Sequence, residues 1–521
     1  MKKFFFSLVA IVFVATCLHS QPLEVDFGGN FEYTMGRNHD MVRLIGSDSR
    51  SIFAIKIDEK DQLILEQYDA NSMQQQSSNP ITIPSVDGIQ GKFVELFFMD
   101  GKLILFTEVQ NNTRKDKTLY AQFIDENAKI IGESQPIGRL LEQNIIVDFN
   151  VKLSKDNEYI FVHYNQPFVK YNEELFYVKV FGSDLEERFD VNLKLPLLNQ
   201  EFEIIQYETH KLGYVYMLAE ITPERRNKRS NLPVSNLYKL LIYNVKSHEI
   251  EAYDVKAEKF ELASLIMGSD LSGNIDIFGL MTRKGKVELE GIFHKKFDIE
   301  AKRFALADAK KGYYIFKREE RPDFRNPRVT ERFDQIYNYV LKDVLYLSNG
   351  NSVVIMEHEN YWVDSLPDPQ TKTVAYHEYL KYNDIIIAST NEQNNMDWMR
   401  RIPKSQKSYN DFGKYSSYYA TVNLDWVLLF YNDNPRNLRQ LNKKILNGSK
   451  YSNCFLPDRT GNAFAVSVFA DGDIIGYPMF DKKNSKYVIV PEMLAKYGET
   501  YYPYTQRSNK YKFGSFIISL R

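Results

Sequence analysis

Imidazole and carboxylate side chains within a few residues of one another are the natural starting point for metal or acid–base chemistry. In this chain the densest such group is Glu357-His358-Glu359 with His377-Glu378, on neighbouring predicted strands. Both residue types ligate transition metals. On a strand, however, Glu357 and Glu359 share one face while His358 points to the other. The three converge only where a bulge interrupts the strand, so cross-strand polar pairing is the preferred reading and no metal or cofactor is expected.

Other chemistries have weaker footholds. No GxSxG elbow, HExxH helix or phosphate-binding loop is present, and Gly88-Ile-Gln-Gly-Lys-Phe93 lacks the spacing and the hydroxyl of the last. Cys454, in Tyr451-Ser-Asn-Cys-Phe-Leu456, reads as a small buried hydrophobe without a histidine partner. Glycoside cleavage by paired acids is a second possibility, with Glu357 and His358 as its test residues, but 68 acidic residues give such a pairing no discriminating power.

Binding has a better one. The stretch 397–417 and the segment Phe430-Tyr-Asn-Asp-Asn-Pro-Arg-Asn437 mix amides, hydroxyls, carboxylates and cations with aromatic rings, the mixture that recognition surfaces use. Trp398, Lys404, Gln406, Asn410, Asp411, Asn432 and Asp433 are the candidates for such a face. The competing expectation is structural: Asx turns at Asn410-Asp411 and Asn432-Asp433-Asn434, and a packing role for Trp398.

These residues must be positioned by a repeated element. Polar turns at Asp48, Asp100, Asp156, Leu212, Gly273, Gly350, Asp425 and Gly461 each precede an aromatic or β-branched run, such as Leu103-Ile-Leu-Phe106 or Val353-Val-Ile-Met356. The runs are apolar at successive positions, which predicts strands covered on both faces. Their spacings are 52, 56, 56, 61, 77, 75 and 36 residues. The first four suit four-stranded units, and the short last one suggests two markers in one unit. Radial stacking of such sheets is a β-propeller. The reading is an all-β protein: one propeller domain over 21–521 of about seven four-stranded blades, with six or eight blades, or two β-sandwich domains, as alternatives. The cationic segment 222–231 and the mixed-charge segment 317–328 read as exposed loops, and 332–347 as either a helix or two short strands.

Composition agrees. The chain has 35 Tyr and 35 Phe among 521 residues, an excess that favours strands. Its formal net charge of −2 offers no electrostatic reason to expect nucleic acid. Met1-Lys2-Lys3 followed by an apolar stretch from Phe4 to Ala15 reads as a signal peptide over 1–20, too short to span a bilayer. Cleavage between Ser20 and Gln21 is preferred over lipidation at Cys17. No later run is long enough for a transmembrane span.

Tyr382-Asn-Asp-Ile-Ile-Ile387, Trp398, Ile402-Pro-Lys404, Gln406, Asn410-Asp411, Gly413, Ser416-Ser417 and Asn432-Asp-Asn-Pro-Arg-Asn437 together resemble a segment of exported, propeller-like proteins of Bacteroidota that carry no assigned function. The resemblance covers about a quarter of the chain. It implies a Gram-negative envelope location, periplasmic, outer-membrane associated or at the cell surface, and carries over no catalytic residue. The leading functional expectation is a non-catalytic binding or scaffold module for an envelope protein or glycan. The alternative is a carbohydrate-active or other hydrolase with acids at the propeller axis.

Overall fold

The polar turns reverse the chain between the first and second strand of successive sheets. Gly213, Gly273 and Gly350 sit there at φ of 86°, 87° and 86°, a region that a side chain disfavours. At the first turn Asp48 closes an Asx turn instead, its carboxylate accepting from the Arg50 and Ser51 amides at 2.7 Å each. The computed structural model describes residues 23–32, 43–57, 62–141, 148–154, 157–165, 173–198, 202–210, 212–221, 237–257, 259–286, 288–305, 313–316, 338–367, 374–391, 393–444, 451–481, 483–508 and 510–518. The expected leader with Cys17 and the segments 222–231 and 317–328, expected to be loops, lie outside these residues. The described part of 332–347, residues 338–347, holds one strand, Tyr339–Tyr346.

Among the described residues the strands form eight sheets of four or more strands and one two-stranded ribbon. Four antiparallel meanders cover 43–80, 92–141, 150–198 and 202–255. A fifth sheet follows over 261–315, a sixth over 339–409 with Cys454–Phe455, and a seventh over 419–478. The eighth is built from both ends of the chain: Asp26–Phe27 and Phe31–Glu32 pair antiparallel with Lys510–Ile517.

The apolar runs bury both faces, because each sheet packs on two neighbours. Phe53 meets Leu105 in one core cluster and Phe106 meets Val162 in the next. Val178 with Met217, Leu240 with Ile277, and Phe278 with Val354 continue the series. Ile387 with Val466 and Phe430 with Tyr501 carry it to the eighth sheet, and Tyr504 with Tyr68 returns it to the first. Each such side chain, wholly withdrawn from water, contributes roughly 1.5–3 kcal/mol. A closed ring of radially packed sheets is a β-propeller, and two separate sandwiches would lack the contacts that close it.

The repeat arithmetic and the sheets differ at the C-terminal end. Asp425 and Gly461 do share one unit, the seventh sheet, where Gly461 follows the short helix Pro457–Thr460. The eighth sheet turns instead at Gly498, φ 59°, between strands Ala495–Tyr497 and Thr500–Tyr502.

Candidate functional site

Among the described residues, the sixth sheet carries an extension that no other sheet has. Its strands Ser352–Pro367 and Val374–Thr390 are 16 and 17 residues long, against a usual length of about 5–6. The inner halves, through 353–356 and 385–388, are buried in the ring. There the sequence is continuously apolar. At Glu359-Asn360-Tyr361-Trp362 it changes to mixed polar and aromatic residues, and the hairpin leaves the ring. The change coincides with a register slip between Glu357 and Glu359: two residues, Asn383 and Asp384, stand opposite the single His358, a bulge in the second strand.

The projecting part has a covered face and an open one. A third strand, Gln406–Tyr409, pairs with Tyr379–Tyr382, and Cys454–Phe455 pairs parallel with that strand in turn. On one face Tyr382 and Leu380 lie under the loop 411–417. Gly413 passes so close that an added Cβ would sit 3.0 Å from Tyr382 and 3.3 Å from Leu380. On the opposite face Trp362, Tyr379 and Tyr409 stand directly across from one another on three strands. Trp362 and Tyr379 are stacked, centroids 5.1 Å apart and 10° between planes, and Tyr409 follows 5.1 Å further on. All three are half-buried.

The next row on that face is cationic: Asn360, Lys381, Lys407 and Phe455. Lys381 Nζ lies 5.0 Å from the Trp362 ring centroid and Lys407 Nζ 5.3 Å from the same centroid. Lys407 also lies 4.6 Å from Tyr379 and 5.6 Å from Phe455. Among the described residues neither ammonium has a carboxylate partner. Burial, reinforced by the charge of Lys407, holds the Lys381 ammonium below its usual range. Beyond the aromatic row stand His377 and, directly opposite it, the exposed Asp364. Tyr409 Oη donates to His377 Nδ1, and Asn410 Nδ2 approaches the same nitrogen at 3.4 Å. Two donors on Nδ1 leave the proton of the neutral ring on Nε2.

The residues singled out from sequence mostly lie elsewhere. Trp398 is buried between the sixth and seventh sheets and donates to the Ala470 carbonyl at 2.6 Å. Lys404 is buried and paired with Glu357, and donates to Gln406 Oε1 at 2.8 Å. Gln406 donates to the Asn432 carbonyl at 2.6 Å. Asn432 in turn spans the Tyr415 and Ile489 carbonyls at 2.8 Å each, stitching the seventh sheet to the eighth. Asp433 accepts from the Asn434 amide at 2.7 Å and from Asn437 Nδ2 at 2.9 Å, bracing the start of helix Pro435–Asn442. Asp411, half-buried, accepts from the Gly413 amide at 2.9 Å, and burial raises its carboxyl above the usual range. Asn410 is exposed and touches the open face through His377.

Sequence reasoning missed Trp362, Tyr379, Lys381, Lys407 and Tyr409. The last two belong to the stretch that was flagged, one residue out of step with Gln406 and Ser408. The bulge lies in the facing strand, at Asn383-Asp384 opposite His358, and it does not gather ligands. Glu357 bonds Lys404 and Ser417, His358 accepts from Asn383 Nδ2 at 3.1 Å, and Glu359 pairs with Lys342. Among the described residues no group of three His, Cys, Asp or Glu is arranged to hold a metal ion. Nor is any helix among them long and apolar enough to cross a membrane. Cys454 is buried, and burial pushes its thiol far above the usual range.

The sequence matches no protein-family model and no curated protein. Among solved structures, similarity extends to the Dos1 propeller at 9% identity and TM-score 0.42, covering 94% of this chain and 95% of that one. The polysaccharide lyase Uly1 follows at 8% identity and TM-score 0.38, covering 84% and 94%. A prolyl endopeptidase shares 11% identity at TM-score 0.37, and the match covers 90% of this chain but only 55% of that chain's length. Likenesses at these levels say nothing of activity or ligand; the chain is, by its own architecture, a β-propeller.

Proposed function

We propose that this protein is an exported binding module of the bacterial cell envelope, without catalytic activity of its own, which presents the open face of the sixth sheet's hairpin to an envelope protein or glycan. The observation that carries this reading is the Trp362–Tyr379–Tyr409 row beside Lys381 and Lys407. Aromatic rings of this kind dominate recognition energetics, and two adjacent like charges gain when a partner of opposite charge arrives. The hairpin is anchored through 353–356 and 385–388 in the packed ring, so the face is held in place before any partner binds. Gln406, Asn410 and Asp411 then act from behind or beside the face, as positioning residues. The envelope location rests on the leader and on the resemblance described above, either as a soluble periplasmic protein or tethered at Cys17.

The test is capture of defined glycans and envelope proteins on immobilised protein, alongside Lys407→Gln and Trp362→Ala variants whose melting curves establish that they fold. A partner retained by the wild type and lost by both variants is the expected result. Equal retention by all three moves the binding face elsewhere. Turnover of a glycan or ester substrate by the purified wild-type protein would replace the reading with the hydrolase.

A further inference from the structure

We infer that the open face binds an acidic polysaccharide, a chain of pyranose rings bearing carboxylates. This inference rests on the binding reading above and names its ligand class. The aromatic row runs across the strands in two centroid steps of 5.1 Å each, a length comparable with a disaccharide. Pyranose rings present flat C–H faces that stack on aromatic rings, and a uronate adds a carboxylate at the ring edge. The cations stand in the neighbouring row, two residues or roughly 7 Å along the strands, on the side where such an edge would lie.

The lysines now rest against rings. Lys381 and Lys407 share Trp362 at 5.0 Å and 5.3 Å, and each ammonium rides on a flexible four-carbon stem. A hydrogen bond to a charged group outweighs an exposed cation–π contact. An arriving carboxylate therefore draws the ammonium off the ring and leaves the outward ring surface, the part that the Trp362–Tyr379 stack does not cover, to the sugar. Burial, and after it the neighbouring Lys407 charge, holds the Lys381 ammonium low, and the crowding of the two positive charges is relieved in the same step. His377 offers a further donor through Nε2–H at the other border of the aromatic row.

An acidic peptide fits less well. Extended peptides bind by adding a strand to a sheet edge, and the edge beside Lys407 is occupied by Cys454–Phe455. A peptide laid flat across the strands would place its backbone amides over the aromatic row with no partners.

Calorimetry with three probes decides the matter: oligogalacturonate, the same oligosaccharide fully methyl-esterified, and poly-glutamate. The acidic sugar is expected to bind about tenfold or more tightly than its ester, and added salt weakens the difference. The double variant Lys381→Gln/Lys407→Gln, with an unchanged melting temperature, should lose about the same factor, and Trp362→Ala should weaken both sugars. Equal binding of acid and ester, unmoved by the lysine variants, overturns the charge requirement and leaves the binding module standing. Poly-glutamate binding as tightly as the sugar overturns the polysaccharide. Failure of all three probes overturns the ligand class, while partner capture in the envelope screen would still sustain the module.

Discussion

Lys404 and Glu357, 47 residues apart in the chain, form an ion pair in which both side chains have an exposure of 0%. Ser417 donates to the second carboxylate oxygen, and Gln406 takes another ammonium proton at 2.8 Å. Burial nonetheless lifts the Glu357 carboxyl above its usual range, against the pull of Lys404 and Ser417. Tyr382, on the covered side of the projecting hairpin, has its ring centroid 5.8 Å from the same ammonium. The pair thus joins the ring to the back of the binding face.

A buried pair is costly to break and cheap to replace. Lys404→Met strands a carboxylate in the interior and should lower the unfolding free energy by about 3–5 kcal/mol. Lys404→Met/Glu357→Leu removes both charges and should recover most of that loss. Urea unfolding of the three proteins measures it. Equal losses in single and double variants would mean that packing, and not the stranded charge, sets the cost.

The ring was readable in the sequence wherever a sheet is made of contiguous strands. Unbroken runs such as Val353-Val-Ile-Met356, each after a turn residue that accepts positive φ, are local signals. The eighth sheet is not local. Apart from Lys510–Ile517, its strands from the C-terminal segment are only two to four residues long, Pro491 and Pro503 fall within that segment, and its outer edge comes from residues 26–32. The binding face shows a different limit. Composition located the stretch 397–417, but Gln406 and Lys407 are consecutive and therefore face opposite ways. Which parity faces out is fixed by the bulge at Asn383-Asp384 and by where the 411–417 loop lies, both tertiary facts. A shift of one residue exchanges every inside and outside position.

Gly413 tests the packing behind the face. Its φ is 76°, and a Cβ there would lie 3.0 Å from the Tyr382 ring. Gly413→Ala should cost about 1–3 kcal/mol, from backbone strain and from displacement of the loop. Because Tyr382 belongs to the same strand as Tyr379 and Lys381, ligand affinity should fall as well. A stability loss with unchanged affinity would show that the open face tolerates movement of the covered one.

Closure of the ring depends on a contact between the two ends of the chain. The Lys512 ammonium lies 3.9 Å from the Phe27 ring centroid and 4.1 Å from that of Tyr487, and Phe27 also meets Phe480 edge-on at 5.2 Å. Phe27→Ala removes one wall of this cage and loosens the outer strand. The expected loss is about 2–3 kcal/mol, below that of a fully buried Phe because Phe27 is only half-buried. Amide hydrogen exchange should rise first in 510–517. Uniformly raised exchange around the ring would mean instead that closure and global unfolding are one event.

His358 makes stability depend on pH in a defined direction. Burial holds its imidazole below the ordinary value of 6.5, opposed by the nearby Asp384 carboxylate. Arg401 pairs with that carboxylate, Lys404 and Lys381 add positive charge near the ring, and Asn383 donates to Nδ1 at 3.1 Å. As pH falls below about 6.5, the unfolded chain takes up this proton before the folded one does. The stability owed to the neutral ring is therefore complete above that pH and is lost as pH drops through the folded value. One such proton changes the unfolding free energy by at most about 1.4 kcal/mol per pH unit. His358→Gln keeps an acceptor for Asn383 and does not titrate. Between pH 7.5 and pH 5 the wild type should lose more stability than this variant in urea unfolding. Parallel curves would require that the folded protein take up the proton as readily as the unfolded chain, which a ring enclosed by Tyr339, Asn383 and the bulged backbone does not permit.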